Sequence, residues 1–136
     1  MSLVSQGAQP ASANAITCTA APEEPFGYTG DEAVNFIKGK NYAVCSDPVA
    51  ALTSEAQVEE HLFSLAWGPE GQPGYEGCID CTSVMASSAI GCHGGTFRTE
   101  GRADGQGYPG DTGDWTDDSL SGNKDINCSL IDPNDR

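Results

Sequence analysis

The sequence predicts a small α+β domain held by disulfides, with a few short helices against a short antiparallel sheet and much of the chain in loops. Three observations carry this reading. Six cysteines, an even number, are spread through a chain of 136 residues with 17 glycines and 8 prolines, which suits a cross-linked, loop-rich domain. Two capping-box patterns, Thr29 with Glu32 and Ser54 with Gln57, mark helix starts. Runs at 41–46 (NYAVCS), 96–99 (TFRT) and 125–131 (DINCSLI) have strand composition.

Taken in order, residues 1–15 are small and polar without periodicity and are expected to be a flexible tail, leaving 16–136 as one domain. A helix is expected over 30–38, with Asp31 and Glu32 at its positive end, Lys38 in its last turn and Gly39 closing it. The strand at 41–46 then carries Cys45. The longest helix is expected over 55–66, where Val58, Leu62 and Leu65 form one stripe and Phe63 and Trp67 an adjoining one. Glycines at 68, 71, 74 and 77 predict turns, because so few triplets cannot hold a collagen helix. A short helix with small faces is expected over 82–90.

Half the cysteines fall in 77–95, GCIDCTSVMASSAIGCHGG. Cys78 and Cys81 could be half a zinc site, a redox dithiol, or two cysteines bonded to different partners. The adjacent Cys92 and His93 reach one tetrahedral ion only awkwardly. Asp80 between the thiols opposes the thiolate stabilisation a redox pair needs. Structural disulfides among Cys18, Cys45, Cys78, Cys81, Cys92 and Cys128 are therefore expected, with fifteen pairings open; a Cys18–Cys128 bond would close almost the whole domain.

Residues 100–136 carry nine acids against three bases, and a Gly-rich loop at about 100–125 holds Asp104, Asp111, Asp114, Asp117 and Asp118. Hard oxygen donors on a pliable backbone are candidate calcium ligands, although no EF-hand pattern is present. Residues 103–106 (ADGQ) and 113–115 (GDW) resemble the calcium loop near the C-terminus of the major pseudopilins of type II secretion. The likeness is confined to those two runs, comes without that family's long apolar N-terminal helix, and does not assign the chain to the family.

The formal charge of -14 argues against nucleic-acid and anionic-membrane partners, and no apolar run is long enough to span a bilayer. The expected function is that of a secreted, non-catalytic binding module with a protein or extracellular-surface partner, in which oligomerisation is open and Tyr75, Tyr108 and Trp115 are candidate contacts. The alternatives are a small ribonuclease-like hydrolase using His61, His93 and Arg98 with Glu59 or Glu60, and a Cys-ligated metal or redox protein. Asn127-Cys-Ser129 is also a formal N-glycosylation sequon.

Overall fold

The structure, a computed structural model, describes residues 16–30, 33–62, 66–110 and 113–131. The expected tail at 1–15 and Asp111 lie outside the described residues. Among the described residues seven strands form one antiparallel sheet: β1 (Cys18–Pro22), β2 (Phe26–Thr29), β3 (Asn35–His61), β4 (Trp67–Gly91), β5 (Gly95–Gln106), β6 (Asp114–Leu120) and β7 (Lys124–Ile126). The expected α+β class is thus overturned. Among the described residues the only helical elements are Ala33 and a 3-10 turn at Cys128–Leu130.

β3 and β4, of 27 and 25 residues, form one long hairpin running from Phe36 against Gly91 to His61 against Trp67. Its register slips between Val44 and Val49 and again between Ala56 and Val58. Such bulges bend a strand and increase its twist, and here the hairpin folds over so that the two halves of β3 face each other. Asn41 on the first half donates to Ser54 Oγ on the second at 2.8 Å. β1 and β2 flank the first half of β3, while β5 flanks the second half and carries β6 and β7.

The core runs between these facing layers as two apolar clusters. One contains Cys18, Ala20, Ala43, Cys45, Val49, Leu52 and Ala103, and the other Ile37, Val58, Phe97 and Ile126. Between them lies a polar belt of buried Asn41, Ser54 and Thr99. The close approach of the layers excludes large side chains there. A Cβ on Gly101 would collide with the Asn41 carboxamide, and one on Gly74 with the Ser87 carbonyl.

This packing explains each misplaced helix. Of the first capping box, Asp31 and Glu32 lie outside the described residues, while the Thr29 hydroxyl donates to Asn35 Oδ1 at 3.0 Å, and Phe36 and Ile37 pair with Tyr28 and Gly27 across β2 and β3. The second fails because Ser54 Oγ donates to the buried Asn41 carbonyl and Gln57 Nε2 to the Glu70 carbonyl, so both side chains serve tertiary contacts. Of the stripe residues, Val58 is a core strand residue, whereas Phe63 and Leu65 lie outside the described residues. Over 82–90 the inward row is Val84, Ala86, Ser88 and Ile90, a period of two. The glycine turns expected after Trp67 are β4 itself. The acidic loop is largely the β5–β6 hairpin, in which Gly101, Ala103 and Gly105 point inward and Arg102, Asp104 and Gln106 outward. Strand expectations at 41–46 and 96–99 fall within β3 and β5, but the one at 125–131 gives way to β7 and the 3-10 turn.

All six cysteines are paired, as Cys18–Cys45, Cys78–Cys81 and Cys92–Cys128. The Cys18–Cys128 pairing is therefore corrected. Cys18 and Cys45 face each other across β1 and β3, and Cys92 ties the β4–β5 connection to the 3-10 turn. Cys78 and Cys81 bond each other where β4 bends, with Asp80 between them at a φ of 53°. No helix of the described residues is long and apolar enough to cross a membrane.

Candidate functional site

Strand pairing sorts the polar side chains onto two sides of β3. Residues directly opposite in a sheet share a face, and neighbours along a strand alternate. Glu55 lies opposite Tyr75 and Arg102, Glu59 opposite Pro69 and Arg98, and His61 opposite Trp67. These define an outer face that Asp118 and Thr116 extend across β6. Glu60 lies opposite Phe97, whose ring is fully buried, so it belongs to the inner side.

The outer face contains a shallow cleft of about 220 Å3 lined by Glu55, Gln57, Glu100, Arg102 and Asp118. Arg98 and Arg102 on this face are both engaged. Arg98 Nε is 2.7 Å from Glu59 Oε1 and its guanidinium lies 4.1 Å over the Trp67 ring, against which His61 stacks at 4.9 Å. Arg102 Nε is 3.0 Å from Asp104 Oδ2, with Asp118 at 4.0 Å. Partial burial, then the neighbouring Glu59 and Asp118 carboxylates, push the Glu100 carboxyl above its ordinary value. Beside these charges Tyr75 and Ile79 are 60% and 78% exposed.

On the inner side, at the end of the core nearest Phe97, His93 Nε2 is 2.9 Å from Glu60 Oε1 and 3.9 Å from Glu70 Oε1. The His93 ring stands edge-on to Phe97 at 5.3 Å. The hydrogen bond to Glu60 raises the His93 pKa, outweighing the lowering effect of its partial burial, and both glutamates add attraction. This trio is the group of potential metal donors found among the described residues.

The residues singled out from the sequence are dispersed over these surfaces. The residues of the hydrolase alternative fall into two groups, His61 and Arg98 with Glu59 around Trp67 on the outer face and His93 with Glu60 on the other side of β3. Among the described residues the candidate calcium ligands do not form one cluster. Asp104 accepts from Arg102 and from Thr116 Oγ1 at 3.0 Å, Asp114 and Asp118 lie on the outer face, and Asp117 points inward to accept from the Ala20 amide at 2.8 Å. Of the candidate aromatic contacts, Tyr75 is open, Tyr108 donates to Asp80 Oδ1 at 2.6 Å, and Trp115 packs against the cluster containing Cys18. Asn127 Oδ1 caps the 3-10 turn by accepting from the Ser129 amide and hydroxyl.

Glu55, Glu70 and Glu100 were not singled out from the sequence as site residues. Their signal was the hairpin: once His61 and Trp67 are paired, Glu70 falls opposite Val58 and Glu100 opposite Gln57. Trp67 was read as part of a helical stripe for the same reason. No protein-family model matches the chain, and neither a curated protein nor a solved structure shows significant similarity to it.

Proposed function

We propose that the protein is an extracellular, non-catalytic binding module whose outer face, formed by β4, β3, β5 and β6, takes a protein partner presenting basic side chains around an apolar contact. The observation that carries this reading is the pairing of exposed Tyr75 and Ile79 with an excess of carboxylates on one sheet face. Because Arg98 and Arg102 are already engaged, Glu55, Glu100 and Asp114 leave the face negative. Aromatic and aliphatic side chains supply buried area at a contact, and surrounding charges choose the partner and speed the encounter. Three disulfides support an oxidising compartment. With every cysteine paired, a thiolate metal centre has no free ligand in this state, and the placing of His61 and His93 on opposite sides of β3 favours the binding reading over the hydrolase alternative.

The test is an NMR titration of the disulfide-intact chain with two model peptides, one alternating lysine and leucine and one alternating glutamate and leucine. Amide shifts concentrated around Glu55, Tyr75, Ile79 and Arg102, seen with the basic peptide only and lost in a Tyr75→Ala/Ile79→Ser variant, are expected. Perturbations scattered over the whole acidic surface, or unchanged in that variant, would reject the face.

A further inference from the structure

The trio of Glu60, Glu70 and His93 plays no part in the outer face, and its geometry suits a different ligand. We propose that Glu60, Glu70 and His93 bind a divalent transition-metal ion of the zinc type, leaving a fourth coordination position open to solvent. The donors come from three places in the chain. Glu60 is on the end of β3, Glu70 is on the paired strand β4, and His93 is in the β4–β5 connection.

Their spacing is close to that of a ligand set. Metal bonds of about 2.0 to 2.2 Å in tetrahedral directions place donor atoms roughly 3.3 Å apart. The two distances from His93 Nε2, 2.9 and 3.9 Å, straddle that value, and all three donor atoms lie within 4.8 Å of one another. Bringing all three to that spacing asks for side-chain movements of at most about 1.5 Å.

The frame around the donors is also built. Cys92, next to His93, is bonded to Cys128, and the imidazole is braced edge-on by Phe97. Gln57 holds the backbone carbonyl of Glu70 at 2.8 Å. A Cβ on residue 95 would stand 2.7 Å from Glu60 Oε2, so the glycine at that position leaves the carboxylate its place. The site is open on one side, with the His93 side chain 47% exposed, which gives an ion a route in and leaves room for a water or an incoming donor.

Donor chemistry selects the ion. One imidazole nitrogen with two carboxylates fits zinc, cobalt or nickel, whereas calcium takes six to eight oxygens and gains nothing from the imidazole. Two carboxylates also neutralise the ion's charge, within a chain whose overall -14 concentrates cations.

The experiment is a calorimetric titration of the disulfide-intact, chelator-stripped chain with zinc chloride at pH 7.5, repeated with cobalt chloride while visible absorption is followed. One saturable site per chain is expected, with a cobalt d–d band that a large excess of calcium leaves in place. His93→Ala and Glu70→Gln should each weaken binding by at least roughly tenfold, whereas His61→Ala, on the other side of β3, and Tyr75→Ala should leave it unchanged. Thermal melts check that each variant is folded, and Glu70→Gln decides the matter should His93→Ala unfold. Absence of a saturable site, binding that survives loss of these donors, or displacement by calcium would overturn the proposal. Failure of the peptide-binding reading would not, since the Tyr75 variant separates the two.

Discussion

Glu100 stands on the outer face beside Glu59, Glu55 and Asp118, and this crowding has a measurable consequence. Its folded-state pKa lies above the unfolded value, so between the two the folded chain holds the extra proton. Stability must then fall as pH rises through that window. Glu100→Gln is expected to flatten this fall and to raise stability at pH 7 by less than about 1 kcal/mol, since an exposed carboxylate is screened by solvent and salt. Urea midpoints of both chains from pH 4 to 7 provide the check; parallel curves would show that the crowding has no energetic effect. At this scale sequence patterns misled where polar residues were buried. Ser54 and Gln57, which read as a helix cap, are buried strand residues, so the apolar alternation that marks a strand is broken by side chains that bond Asn41 on the facing half of β3 and the Glu70 carbonyl on β4.

At the scale of elements, the three disulfides close loops of very different size. The sequence separations are 36 for Cys92–Cys128, 27 for Cys18–Cys45 and 3 for Cys78–Cys81. On the chain-entropy relation these correspond to about 4, 3.5 and 1.5 kcal/mol. Paired Cys→Ala variants should therefore lose stability in that order, as read from denaturant midpoints under oxidising conditions. An equal or greater loss on removing Cys78–Cys81 would show that this bond chiefly holds the β4 bend rather than restricting the unfolded chain. Strand runs with clear branched or aromatic content, at 41–46 and 96–99, were legible. Those rich in glycine, alanine and serine, at 68–77 and 82–90, were not. Some positions there are small because β4 folds back on itself, so that Gly74 lies against the Ser87 carbonyl, a contact between its two halves that no local pattern reveals.

For the whole molecule, 20 acidic residues against six basic ones impose a general repulsion on the folded chain. Raising sodium chloride from 20 to 500 mM is expected to raise the urea midpoint by an amount worth about 1 kcal/mol, because the Debye length contracts from tens of ångströms to a few. A lower midpoint in high salt would mean that attractive pairs such as Glu59 with Arg98 and Glu60 with His93 outweigh that repulsion.

Composition and cysteine count alone determined that this is an acidic chain whose modest apolar content is supplemented by cross-links, because charge and thiol number do not depend on conformation. Capping patterns and helical stripes, by contrast, are local preferences worth about 1 kcal/mol each. The long β3–β4 hairpin overrides them by burying Ser54, Ala56 and Val58 and pairing some twenty backbone positions at once. Which cysteines meet, which side of β3 each histidine faces, and the approach of Glu70 to Glu60 and His93 all follow from that pairing register. Only the tertiary structure decided them, because a shift of one residue would move every side chain to the opposite face.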